Sequence, residues 1–139
     1  MSELIEQLKR HEGVEKHVYK CTAGYETIGV GRNISESGLG LSSDEIDYLL
    51  QNDINRCVRE LAYAFDWFAS LDGVRQDAMV NLAFNLGMTR LQQFKLALDA
   101  MDRGDYARAA AEFLDSRWAK QVGNRAIEVT YMIRTGEYP

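Results

Sequence analysis

An α+β fold, predominantly helical, follows from three features of the sequence. Apolar residues recur at helical spacing through most of residues 43–134. Residues 14–34 are instead rich in glycine and β-formers, in short runs divided by turn residues. The 139 residues hold one proline and 46% hydrophobic residues, enough for one domain with its own core. The expected architecture is a small β-sheet lobe joined by a long helix to a larger helical lobe, with a cleft between them. In this single domain, 1–139, the β lobe takes about 13–41, the connecting helix 43–66, and the helical lobe 1–12 with 67–139.

Taken in order, residues 3–12 make a short helix carrying Leu4, Ile5 and Leu8, stopped at Gly13. Two β-type runs follow, 17–20 and 25–28, around a turn at Thr22-Ala23-Gly24. A third run, 30–34, comes after Gly29, and 35–40 is a loop. Ser42 and Glu45 stand three apart before an apolar pattern, the signature of a capping box. Beyond them Ile46, Leu49, Leu50, Ile54, Cys57, Val58 and Leu61 keep helical spacing, which predicts the long helix. Further helices are expected at 72–86, 91–101, 106–114 and 124–134, with glycines at 87, 104 and 136 as stops.

Charge narrows the function. A net charge of −5 opposes nonspecific nucleic-acid binding and gives no long-range attraction to an anionic cell wall. No apolar run approaches the roughly 18 residues of a membrane span, and the N-terminus lacks the basic and apolar regions of a signal peptide. Two cysteines make no disulfide framework, and Cys57, inside an amphipathic pattern, reads as a small buried hydrophobe. The two histidines lack a partner at ligand spacing, so neither a metal nor another cofactor is expected. Gly29-Val30-Gly31 precedes strand residues and not a helix, which excludes a phosphate loop.

Chemistry concentrates in residues 12–32. A helix end, a loop and a strand each offer one reactive side chain there: Glu12, Cys21 and Thr27. By residue type alone Glu12 is a surface glutamate. Its position is a poor one for a structural carboxylate, because the negative end of a helix dipole lies there. The same position favours the protonated form that a general acid needs. His11 beside it points about 100° away around the helix and has a structural reading.

On the segments HEG at 11–13, VYK and GYETIGVGR within 18–32, NLAFNLG at 81–87, SRW at 116–118 and NRA with RTGEY within 124–138, the chain resembles the phage-type lysozymes. This is the endolysin or muramidase family, which cleaves bacterial peptidoglycan. The likeness covers nearly the whole chain, with a shorter segment between the strands and the long helix than in the best-known members. The family motif is Glu, eight residues, Asp or less often Cys, five residues, Thr, and Glu12, Cys21 and Thr27 stand at that spacing.

The resemblance implies that Glu12 protonates the glycosidic oxygen while Cys21 and Thr27 hold or activate water on the opposite face of the sugar. Such a one-step displacement inverts the anomeric centre. Cys21 departs from the commoner aspartate, and three readings stay open for it. It is a partly ionised base, a neutral thiol that places the water, or a nucleophile or idle group. A free thiol is only a few per cent ionised at neutral pH, so the first reading needs something to lower its pKa.

Arg125 matches a family arginine that pairs with the catalytic glutamate, although by type it is a surface residue at a helix start. Asn33, Phe84 and Asn85 match positions near the bound saccharide; by spacing alone Phe84 reads equally as core. Trp67, Phe68 and Trp118 are expected in core or hinge packing.

The leading expectation is a muramidase that hydrolyses the β-1,4 bond between N-acetylmuramic acid and N-acetylglucosamine. Its partner would be peptidoglycan, its state a monomer, and its origin the host cytoplasm, with release of the holin type. The start at Met1 and the end at Pro139 suggest a complete endolysin and not a domain of a larger phage tail or toxin protein. Two alternatives stand beside it: a lytic transglycosylase forming 1,6-anhydro ends, and a non-catalytic saccharide-binding module.

Overall fold

A computed structural model describes all of residues 1–139 and contains eight α-helices and one three-stranded antiparallel sheet. The chain divides into two compact units, Met1–Leu50 and Gln51–Pro139.

In the first unit, α1 (Ser2–Glu12) ends where Gly13 turns to φ 82 and returns its N–H to the Lys9 carbonyl at 2.9 Å. None of its residues is buried, so its apolar stripe of Leu4, Ile5 and Leu8 is unused within this unit. The sheet runs in the order β1 (Glu15–Lys20), β2 (Glu26–Gly29) and β3 (Arg32–Asn33). Tyr19 pairs with Thr27, and Thr27 in turn with Asn33. Directly opposed residues share a face, so these three form one row across the sheet. Lys20 and Glu26, also paired, therefore point to the other side.

The third strand is shorter than the expected 30–34. Gly29 and Gly31 both adopt positive φ, 71° and 68°, so Val30 and Gly31 belong to the turn between β2 and β3. The β1 run starts two residues earlier than its side-chain pattern indicated, with a register irregularity between Glu15 and Tyr19.

The long helix α2 (Ser43–Ala64) begins in the first unit and ends in the second. Its start is the expected capping box: the Ser42 hydroxyl accepts from the Glu45 amide at 3.2 Å, and Glu45 Oε1 accepts from the Ser42 amide at 2.9 Å. Arg32 also donates to Glu45 Oε1 at 2.8 Å and to the Gly40 carbonyl at 2.9 Å, tying the sheet to the helix start.

The second unit holds the hydrophobic core. Leu61 from α2 is fully buried there, with Leu82 of α3 (Gly73–Leu86) and Phe113 of α6 (Tyr106–Leu114). Truncating one such leucine to alanine costs about 2–5 kcal/mol. Cys57 is 2% exposed and free, as is the half-buried Cys21, so no disulfide joins them. Trp118 and Phe68 are buried and Trp67 packs on the core, in keeping with expectation.

The helix expected at 91–101 is two, α4 (Met88–Leu91) and α5 (Lys95–Asp102). Phe94 leaves helical backbone at ψ 61 and packs its ring, tilted by 40°, 5.3 Å from that of Phe113. A further helix, α7 (Arg117–Val122), starts at Ser116, whose hydroxyl accepts from the Ala119 amide at 3.1 Å. Finally α8 (Asn124–Thr135) is held at its C-terminal end by Arg75, which donates to the carbonyls of Ile133 at 2.7 Å and Arg134 at 3.2 Å. The same guanidinium lies 3.8 Å from the Tyr106 ring centre.

Candidate active site

The first unit carries Glu12, Cys21 and Thr27. Glu12 is the last residue of α1, and its carboxyl lies against the backbone of Gly31 in the β2–β3 turn. The turn between β1 and β2 carries Cys21. It is closed by two backbone hydrogen bonds, Cys21 N–H to the Tyr25 carbonyl at 3.0 Å and Gly24 N–H to the Cys21 carbonyl at 2.8 Å. Thr27 is 3% exposed, and its hydroxyl donates to the same Tyr25 carbonyl at 2.8 Å.

This turn surrounds the Cys21 sulfur with donors. The Tyr25 amide holds the thiol below its ordinary pKa; partial burial opposes this, and the Ala23 amide, the Thr27 hydroxyl and the Gly24 amide add to it. The Thr27 hydroxyl gives its one proton to the Tyr25 carbonyl and is near enough to the thiol to help lower its pKa. A cation can lower such a pKa, and His17, Lys20 and Arg32 are close in sequence. The groups that do so are backbone amides and a hydroxyl, and Arg32 is instead bound to Glu45. A tight turn with glycine at its third position was legible; the convergence of its amides on one sulfur was not.

Asn33 stands opposite Thr27 on β3, on the same face of the sheet. Its side-chain carbonyl accepts from the Ser35 amide at 3.0 Å and the Ser35 hydroxyl at 2.6 Å, which leaves the amide nitrogen free to donate. Gly38 is required beside it, because a Cβ there would lie 2.4 Å from the Asn33 side chain and carbonyl.

The second unit holds Phe84, Asn85 and Arg125. Phe84 is 44% exposed and is therefore not a core residue. Asn85 Oδ1 accepts from the Trp118 indole at 2.7 Å, which fixes the carboxamide and turns its NH₂ outward. Arg125 Nε donates to Asn81 Oδ1 at 2.9 Å. Asn81 was not among the residues singled out from the sequence. Its position four before Asn85 on α3 was the available signal, since residues at that spacing share a helix face.

No group of three or more His, Cys, Asp or Glu side chains lies where it could hold a metal ion. No helix is long and apolar enough to cross a membrane.

Comparison with known proteins identifies the family. The phage lysozyme family profile matches residues 9–132. The chain is 27% identical over 163 aligned positions to probable T4-type lysozyme 1 of Dictyostelium discoideum, covering 98% of this chain and 96% of that relative. It is 32% identical over 119 positions to an endolysin of Acyrthosiphon pisum secondary endosymbiont phage 1, covering 85% of this chain and 80% of the relative. The pre-baseplate central spike protein Gp5 of Enterobacteria phage T4 is 29% identical over 96% of this chain, which spans only 28% of that longer protein. The first alignment is longer than this chain, so that relative carries insertions where this one is trimmed. The chain belongs to the phage lysozyme family and with it to the lysozyme-type glycoside hydrolases.

Proposed function

We propose that this chain is an endolysin-type muramidase, which hydrolyses the β-1,4 bond between N-acetylmuramic acid and N-acetylglucosamine in bacterial peptidoglycan. Glu12 is the general acid, delivering its proton to the glycosidic oxygen. Cys21 and Thr27 hold the attacking water, and displacement in one step inverts the anomeric carbon. The lowered thiol pKa favours the partly ionised base among the three readings of Cys21. A thiolate beside a nearly buried hydroxyl gives the water one proton acceptor and one orienting group.

Asn33, Phe84, Asn85 and Arg125 serve as substrate contacts. Asn33 and Asn85 offer carboxamide donors, Phe84 an exposed ring and Arg125 the donors not used on Asn81. The protein acts as a monomer on the wall after release from the cytoplasm in which it is made, as a single domain.

The observation that carries the reading is the meeting of the Cys21 thiol with the Thr27 hydroxyl in the unit that also bears Glu12, at the family spacing. The test is Glu12→Gln assayed on purified cell walls, with folding checked by circular dichroism. A loss of at least about 10²-fold with an unchanged fold is expected, the scale of one acid–base group. Activity within about threefold of the parent would end the assignment. Product ends identify the reaction: reducing ends mark hydrolysis, and 1,6-anhydro ends would replace it with transglycosylation.

A further inference from the structure

We infer that Gly31 is a positioning residue for this reaction, because its bare α-carbon is the seat of the Glu12 carboxyl. The inference rests on the reading of Glu12 as the acid. A Cβ added at Gly31 would lie 2.7 Å from Glu12 Oε2, 3.0 Å from Cδ and 3.2 Å from Cγ. The first is closer than a Cβ approaches another atom and the other two are tight, so a side chain at 31 shifts the carboxyl. None of the side-chain hydrogen bonds of the first unit ends on that carboxyl. Contact with the Gly31 backbone is therefore what sets its place there.

The last residue of β2, next to the β2–β3 turn, supplies a control. Gly29 and Gly31 both sit at positive φ, 71° and 68°, where a side chain strains the backbone. A Cβ on Gly29 meets nothing within 4 Å, whereas one on Gly31 meets Glu12. Alanine at either position thus carries the same left-handed strain, and only at 31 does it also move the acid. The atom struck is the far end of a flexible side chain, which can swing aside without disturbing the core. The clash therefore adds little to the cost of folding, while a shift of about 1 Å in a reacting group can lower turnover about 10²-fold. Both substitutions should therefore lower stability alike, and only the one at Gly31 should also lower turnover.

The experiment compares Gly29→Ala and Gly31→Ala in the full chain, measuring thermal midpoints and the kcat and KM for soluble, uncross-linked peptidoglycan strands. The two midpoints should fall by matching amounts. In Gly31→Ala kcat should fall about 10²-fold at unchanged KM, while Gly29→Ala keeps kcat within about threefold of the parent. Combined with Glu12→Gln, Gly31→Ala should cause no further loss of the residual rate, because the group it displaces has already lost its proton. Equal losses of kcat in the two alanine variants, or an additive loss on the Glu12→Gln background, would overturn the inference. If Gly31→Ala does not fold, Gly29→Asn and Gly31→Asn give the same comparison, since asparagine enters the left-handed region more readily. Full activity of Glu12→Gln alone would sink the acid assignment; an inactive Glu12→Gln with Gly31→Ala resembling Gly29→Ala would sink only the role of Gly31.

Discussion

At the scale of single residues, the proposed mechanism turns on the cysteine that stands at position 21 in place of an aspartate. The thiol lies in a turn whose amides point at it, so its ionised form is favoured relative to a free cysteine. The pH dependence of alkylation by iodoacetamide reads this directly. Cys57, at 2% exposure, is shielded, so the fast phase reports Cys21. The midpoint of that phase should lie below 9.0, the value of a free thiol, and Thr27→Val should move it upward by removing one donor. A midpoint at or above the free value would mean that the turn does not stabilise the thiolate, leaving the neutral thiol as the better reading. The steady-state companion is Cys21→Asp against Cys21→Ala. A base at 21 predicts that aspartate retains turnover within about tenfold while alanine loses about 10²-fold or more. Equal, parent-like rates would make the side chain idle.

At the scale of elements, the junction of β3 with α2 is the most electrostatic feature of the first unit. Glu45 closes the capping box with Ser42 and binds Arg32, and the Arg32 hydrogen bond is the main reason its pKa falls to about 2 from 4.5. The folded-state value lies below the unfolded one. Its stabilisation is therefore present above about pH 4.5 and is lost as pH falls toward about 2. Both partners are partly solvent-exposed, so screening keeps the effect modest. Glu45→Gln can keep the capping hydrogen bond while deleting the charge. The thermal midpoint of the parent should exceed that of Glu45→Gln at about pH 6, and the gap should narrow steadily as the pH falls from about 4.5 toward about 2. A gap of constant size would show that the charge contributes nothing.

This junction was half legible in the sequence. Ser42 and Glu45 announce themselves by spacing, but Arg32, thirteen residues earlier, does so only through the fold. The same division holds elsewhere. Long periodic stretches such as 43–64 were readable because burial repeats every turn. The break at Phe94 was not, because it depends on where Phe113 lies. The helix at Arg117–Val122 was missed because Ser116 has alanine, not an acid, three residues on and so lacks a capping-box signature. Within the site, the spacing of Glu12, Cys21 and Thr27 was legible. The seat at Gly31 and the brace of Arg125 by Asn81 were not, since each joins residues far apart in the chain.

At the scale of the whole molecule, the distribution of charge bears on how the protein meets its polymer. Residues 1–50 carry nine acids against five bases, a net −4, and residues 51–139 carry twelve against eleven, a net −1. The unit with the proposed acid is thus the more anionic one. Approach to a wall rich in anionic polymers is opposed over the range of the Debye length, about 30 Å at 10 mM salt and about 10 Å at 100 mM. Inside that range the proposed contacts are short hydrogen bonds and ring stacking, which salt hardly screens. Added salt should therefore raise the initial rate on intact anionic walls severalfold between those two concentrations, as repulsion between like charges is screened. On neutral glycan strands stripped of anionic polymer, the same change should leave the rate nearly constant. The pair of measurements separates approach from chemistry, because only approach depends on the charge of the polymer. A rate on intact walls that falls steadily with salt would show that a local cationic surface, and not the net charge, governs the encounter.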